Sequence, residues 1–326
     1  MKRMMAAAVA GLVSLGLSTG AVLAQAFPSK PITLVVPFAP GGPTDIVARV
    51  IAARMGETLG QTVVVDNVAG AAGTIGAAKV ARSAKDGYTL LMGPMSTMSF
   101  SPALYPESGF DPIKDFEPVG LVASAPILLV ASKKAPVTTI AELKDQAKTQ
   151  GFANGNAGVG STSHLACLLL NQKLGINPLM AAYRGSGPAI QDLVSGQVHY
   201  ICDQVTSLTS HVAGGTVTPI AIMASTRSPA LPNVPTAAEV GVQGVDMLVW
   251  NGVFAPKGTP ADVIDKLNDA IVKGLDRPES QERFKSLSAE APVGDARKPA
   301  ALGKMLAADV EKWGGLIKAA GIKVNP

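Results

Sequence analysis

The chain is 326 residues long, with 28 lysines and arginines against 24 aspartates and glutamates, and is 47% hydrophobic but only 4% aromatic. This is a globular composition, long enough for one large domain or two ordinary ones. The formal charge of +4 falls to +2 once Lys2 and Arg3 are set aside, and no polybasic arm remains to argue for a nucleic-acid partner.

Lys2 and Arg3 head a small-residue apolar run from Met4 to Leu23, and Val22-Leu23-Ala24 and Ala24-Gln25-Ala26 each offer a small-residue cleavage site. That is the pattern of a secretory signal peptide over residues 1–26, cut after Ala24 or Ala26. A membrane anchor is the alternative, since the run approaches the spanning minimum; its Ala, Gly and Ser content and its cleavage sites favour removal. The mature chain is therefore expected to be soluble and exported.

The mature chain opens with alternating strands and helices. An apolar strand at 32–36 enters Pro37-Phe38-Ala39-Pro40-Gly41-Gly42-Pro43, and a helix at about 45–59 follows, with Ile46, Val47, Val50, Ile51, Met55 and Leu59 at helical period and Gly60 as its stop. Thr62 to Val65 reads as a buried strand, Asn67 to Gly76 as a second glycine-rich loop, 74–84 as a helix and 88–92 as a strand. This βαβαβ pattern predicts a parallel sheet with both loops at its carboxyl edge, where ligands of open α/β sheets bind. A third loop, Gly93-Pro94-Met95-Ser96-Thr97, lies at the same edge, and proline-punctuated chain follows it. Val119 to Val130 reads as two strand runs broken at Ser124-Ala125-Pro126.

A second alternation follows: helix 139–149, strand 152–154, helix 161–174, strand 179–183, helix 187–195, strand 198–202, helix 205–213 and strand 218–223. A strand around 250–254 and helices at 260–274, 278–288 and 297–320 complete the chain. The restart predicts two α/β domains, 27–120 with 226–326 and 121–225, joined by crossings near 119–125 and 220–227. Cys167 falls in a helical pattern and Cys202 in a strand pattern. Export permits a disulfide between them, but a chain of this size does not need one, and two buried small hydrophobes are the expectation.

Several stretches could carry chemistry. A strand, a glycine-rich loop and a helix start direct backbone N–H groups and the positive helix end at one place, a ready anion site, although Pro and Gly also simply make turns. Gly158-Val159-Gly160-Ser161-Thr162-Ser163-His164 opens a second such helix, where Ser161 or Thr162 equally serves as an ordinary cap. His164 in the first turn is favoured as neutral imidazole. Arg184, in Tyr183-Arg184-Gly185-Ser186-Gly187-Pro188, could meet a carboxylate or be a solvated residue. Asp203 could accept from a ligand hydroxyl or amine, or cap the following helix.

Enzyme signatures are weak. There are three histidines and no HExxH, CxxC, Walker loop or GxSxG elbow, so neither a metal nor a cofactor is expected. A serine-hydrolase set built from Ser161 or Ser163 with His164 and Asp203 is the rival reading.

Taken in order, Pro28-Ser29-Lys30-Pro31-Ile32, Pro37 to Asp45 with Ala48-Arg49, Asn67 to Gly76, Asp115-Phe116-Glu117-Pro118-Val119, Gly160 to Ala166, Tyr183 to Ala189, Leu231-Pro232-Asn233-Val234-Pro235-Thr236 and Ala255-Pro256-Lys257-Gly258-Thr259-Pro260 form a specific pattern. With it the chain resembles the extracytoplasmic solute-binding proteins of tripartite tricarboxylate transporters, the Bug family. The resemblance implies a two-domain periplasmic binding protein of the Venus-flytrap, type II-like class, with a hinge and an inter-domain cleft. It implies a small organic carboxylate as ligand, a mono- or dicarboxylate with an aliphatic or aromatic body, and a membrane permease as partner. One carboxylate would be gripped, partly through water, by Phe38, Ala39, Gly42, Pro43, Thr44 and Asp45 of the first loop and Gly70, Ala71, Ala72 and Gly73 of the second. Ser161, Thr162, His164 and Asp203 would set the far end, with Ser96, Thr97 and Arg184 nearby. Met92 to Met98 and Cys202 to Ser207 look less standard for the family and bear on ligand identity. The expected protein is a monomer without enzymatic activity; a ligand-sensing partner of a signalling receptor would use the same fold.

Overall fold

The computed structural model describes residues 27–319; the expected signal peptide at 1–26 lies outside the described residues. Strand β1 (Ile32–Val36) alternates its side chains between two faces, with Leu34 and Val36 in one core and Val35 in the other. It pairs in parallel with β2 (Val63–Asn67) and β3 (Thr89–Pro94), as the βαβαβ pattern requires. Helix α1 (Pro43–Leu59) turns Val47, Ile51 and Met55 onto the sheet and ends at Gly60 in the left-handed conformation (φ 67°). Helix α2 (Thr74–Ala81) covers the other face with Ala77 and Val80.

After β3 the expected loop and irregular chain are instead helical. A π-helical turn (Ser96–Phe100) runs into α3 (Ser101–Leu104), because Met98, Phe100 and Leu104 must all reach the core. The expected break at Ser124-Ala125-Pro126 is also absent. Strand β4 runs unbroken from Phe116 to Ser132. Pro126 is the last residue paired with β9 (Leu248–Pro256), and Ile127 is the first paired with β7 (Tyr200–Gln204) and β8 (Val217–Met223). The proline thus sits where the strand exchanges partners.

The second half contains α4 (Ile140–Gln146), β5 (Ala153–Asn156), α5 (Thr162–Leu174), β6 (Leu179–Ala182), α6 (Ser186–Ser195) and α7 (Val205–Ala213). The described strands follow the order β2-β1-β3-β9-β4-β7-β5-β6, with β8 also on β4. Parallel pairing is confined to β1–β3 and β5–β7; β4, β8 and β9 run antiparallel to their neighbours, so the sheet is mixed. Residues 224–247 stay on β8 through Ala237 N–H to Ile222 O (2.7 Å) and Met247 N–H to Met223 O (2.9 Å) before β9 returns to the first half. There α8 (Ala261–Leu275), α9 (Pro278–Ser286) and α10 (Pro299–Ala319) finish the cover. Among the described residues no helix is long and apolar enough to cross a membrane.

The cysteine expectation is corrected. Cys202 faces the side of β7 that α5 covers, and it forms a disulfide with Cys167 across a Cα–Cα distance of 5.4 Å. Chain entropy for a bridge between residues 35 apart predicts a contribution of about 3–4 kcal/mol. Denaturant unfolding with and without reductant should therefore show the reduced protein less stable by that order, with two reactive thiols appearing only after reduction.

Candidate functional site

The loop after β1 is braced from behind. Asp45 accepts hydrogen bonds from the Gly41 N–H, Arg49 Nε and Asn67 Nδ2, each at 3.0 Å, and Asn67 Nδ2 also donates to the Phe38 carbonyl. Burial acts to raise the Asp45 carboxyl, but the Arg49, Gly41 and Asn67 hydrogen bonds outweigh it and hold the pKa below the ordinary value. Asn67 closes β2, so this brace ties the two glycine-rich loops of the first half together. The second loop is conformationally strained: Gly70, Ala71, Ala72 and Gly73 all have positive φ (142°, 45°, 51° and 92°). Thr97 Oγ1 donates to the Ala72 carbonyl (3.0 Å) and packs against Gly73, which leaves no room for a Cβ there.

The opposing wall comes from the carboxyl ends of β5 and β7 and the starts of α5 and α6. Ser161 caps α5 by accepting from the His164 N–H (3.1 Å). His164 Nδ1 accepts from the Gly160 N–H (3.3 Å), and burial lowers its pKa, favouring the neutral ring. Asp203 Oδ1 accepts from the Gln204 N–H (2.7 Å), whereas Oδ2 is buried without a hydrogen-bond partner among the described residues. Burial pushes this carboxyl up to about 6, against the lowering effect of the nearby Ser186 hydroxyl and the Gln204 N–H.

These elements enclose two adjoining cavities. The inner one, about 20 Å3, has room for about one water. Phe38, Gly42, Pro43, Thr44 and Ser96 line it from one side, and Ser161, Thr162, Ser186, Asp203 and Gln204 from the other. The starts of α1, α5 and α6 all reach it, and neither α1 nor α6 has a side-chain cap. Among the described residues Asp203 is the one ionisable side chain in its lining. The outer cavity, about 300 Å3, is lined by Gly70, Ala71, Ala72, Tyr105, Tyr183 and Arg184 among others, and Phe38 borders both.

Five of the expected site residues line neither cavity. Ala39 donates its N–H to the Arg184 carbonyl (3.1 Å), Asp45 belongs to the brace, Gly73 and Thr97 hold the second loop, and His164 supports the Gly160 turn. Ser163, Ser186 and Gln204 were not expected. The glycine-flanked Ser186 offered a signal, as a third uncapped helix start, and Gln204 lies in the Cys202–Ser207 stretch singled out as less standard; Tyr105 offered none. Of the hydrolase arrangement, the Ser161–His164 pair is not formed, since Ser161 Oγ meets the His164 backbone N–H rather than its ring. Among the described residues no cluster of three or more His, Cys, Asp or Glu could hold a metal.

An unfolded aspartate titrates near 3.9, whereas folded Asp203 titrates at about 6. The folded chain binds the extra proton between those values, so this group's contribution to stability falls as pH rises through the window. Asp203→Asn should accordingly stabilise the protein by about 2–3 kcal/mol at pH 8 and by almost nothing at pH 4. Parallel denaturant titrations at the two pH values measure this.

Residues 47–322 match the model of the tripartite tricarboxylate transporter family receptor, TctC. The periplasmic binding protein BugD is 42% identical, with a TM-score of 0.88 over 91% of this chain and 100% of that one. MatC from Rhodopseudomonas palustris with bound malate is 40% identical, with a TM-score of 0.85 over 89% of this chain and all of the other. The R. palustris protein Rpa4515 with adipate is 34% identical, with a TM-score of 0.86 over 91% of this chain and all of the other. The α/β periplasmic-binding-protein fold is therefore common to them, and the chain belongs to the tripartite tricarboxylate transporter receptor family.

Proposed function

We propose that this protein captures a small organic carboxylate in the periplasm, encloses it between two domains and delivers it to the membrane permease of a tripartite tricarboxylate transporter. The observation that carries the reading is the convergence of three helix N-termini, from both halves of the chain, on one inner cavity without a basic side chain in its lining. Helix starts with free N–H groups satisfy a carboxylate without an arginine clamp. The malate and adipate held by two relatives support the ligand class.

The partner exchange at Pro126–Ile127 and the bonding of 224–247 to β8 support domains of 27–126 with 248–319 and 127–247 among the described residues, a shift from the limits expected from sequence. The inner cavity is too small for an organic acid as it stands, so the domains must part for entry and then close. Contacts across the cleft fit that cycle. Ala39 N–H meets the Arg184 carbonyl (3.1 Å), Tyr105 donates to the Val159 carbonyl (2.6 Å), and Gly187 faces the Pro40 carbonyl with no space for a Cβ. A ligand that touches both walls favours the closed form and shifts the population toward it.

A thermal-shift screen of refolded, ligand-free mature protein against aliphatic, aromatic and amino-acid carboxylates tests the ligand class. One chemical class should raise the melting temperature while its neutral amides do not; no shift with any acid refutes the reading. Gly187→Val tests closure: it should weaken binding of the identified acid at least tenfold while leaving the melting temperature of the free protein within 2–3 °C, about the effect of 1 kcal/mol.

A further inference from the structure

The two walls of the inner cavity are held in different ways. The first is braced by the Asp45, Arg49 and Asn67 hydrogen bonds. The second is less completely bonded: Asn156 Nδ2 at the end of β5 and Thr206 Oγ1 at the start of α7 are buried without a partner among the described residues. The first turn of α5, Thr162-Ser163-His164, is buried but polar, so apolar packing anchors this helix only from Leu165 onward. β7 changes character beside it, from Tyr200-Ile201-Cys202 to the polar Asp203-Gln204.

The Cys167–Cys202 disulfide lies at that boundary. Cys167 follows Ser163 by four residues and shares its helix face, and Cys202 precedes Gln204 by two and shares its strand face. Ser163 and Gln204 both line the inner cavity, so the bridge forms the layer beneath them, with both cysteines fully buried. Asn154 of β5 joins this layer by donating Nδ2 to Cys167 Sγ (2.9 Å) and to the Tyr200 carbonyl (3.2 Å). Bridge and amide together tie α5, β7 and β5, whose ends make up much of the second wall. The wall also carries a load. In the empty protein the positive start of α5 is repelled by the starts of α1 and α6, and its polar first turn has no apolar anchor to resist that push.

We infer that Cys167 and Cys202 are a positioning pair for ligand capture: their bridge holds the start of α5 against the end of β7 in the empty protein, so that the second wall is preformed when the acid arrives. The inference rests on the carboxylate-binding reading and adds to it a determinant of affinity outside the cavity. The acid meets N–H groups already in place, and less of its binding free energy goes into ordering them.

Calorimetric titration of ligand-free mature protein tests this. The titrants are linear mono- and dicarboxylic acids of three to six carbons, with and without hydroxyl or amino substituents, and the acid that binds the oxidised parent most tightly is carried forward. Two bridge-less forms are compared with the parent well below their melting temperatures: the parent refolded in reductant, with two thiols counted, and Cys167→Ala combined with Cys202→Ala. Both should bind that acid at least fivefold more weakly. Leu275→Ala, in the core under α8 and in the lining of neither cavity, should lower the melting temperature while leaving affinity unchanged. Amide hydrogen exchange separates positioning from stability. The His164 and Leu165 N–H groups, both bonded to Ser161, should exchange at least tenfold faster without the bridge, with no matching change in α8. Parent affinity in either bridge-less form, equal acceleration in α5 and α8, or failure of both forms to fold assigns the bridge to stability alone and overturns the inference, leaving the carboxylate reading in place. An oxidised parent that binds none of these acids overturns both.

Discussion

Three helices that start at one point place three positive dipole ends against one another. Each end carries roughly half an elementary charge, and the arrangement is unfavourable until an anion or water fills it. Much of the local structure serves to hold it. The Asp45–Arg49–Asn67 brace fixes the loop before α1. The Ser161 cap and the Gly160–His164 hydrogen bond fix the turn before α5. Glycine at 42 and 185 lets α1 and α6 begin without a side chain covering their first N–H groups.

The sheet explains how elements from distant parts of the chain meet there. β4 serves two sets of partners in turn, β9 up to Pro126 and β7 with β8 from Ile127. A proline interior to a long strand ordinarily removes a ladder hydrogen bond; here it falls at the partner exchange. The same crossing brings Gln204 of β7 beside Asn251 of β9. The polar floor of the inner cavity is therefore tied to the strands that link the two halves, and an event at Asp203 lies next to the linkage.

Most regular elements were legible because their signals are local. β1 matches its apolar run over Ile32–Val36, and α7 matches its expected limits over Val205–Ala213. The first two glycine-rich loops could be located for the same reason, since glycine and proline announce themselves without reference to the fold. What could not be read depends on tertiary partners. Pro126 reads as a break until β9 and β7 are both known. The π-helical turn at Ser96–Phe100 exists to seat Met98 and Phe100 in a core assembled from remote residues. The Cys167–Cys202 pairing depends on which face of β7 lies under α5. Asp45 and His164 carried plausible local chemistry, yet Asp45 is committed to Arg49 and Asn67 and the Nδ1 of His164 to the Gly160 N–H. Ser186 and Gln204 enter the site because α6 and β7 end beside α1, which no window of sequence contains.

Several unfavourable features lie where the two walls meet. Ala71 and Ala72 are held in the left-handed region, at about 1–2 kcal/mol each for residues with a Cβ. Asp203 is a buried carboxyl whose burial the Ser186 hydroxyl and the Gln204 N–H only partly offset. Gly185 and Gly187 forgo side chains so that two loops can touch. A sequence selected for stability alone would relax each of these locally, with glycine at 71 and 72 and an amide or apolar residue at 203. Their proximity to the two adjoining cavities, with the rest of the sheet packed conventionally on both faces, is the physical basis for placing recognition there rather than at the larger surface hollow beside α2. That hollow has volume and exposed apolar side chains and borders Ala71 and the first turn of α2, but its lining holds no unsatisfied buried polar group and only one helix start.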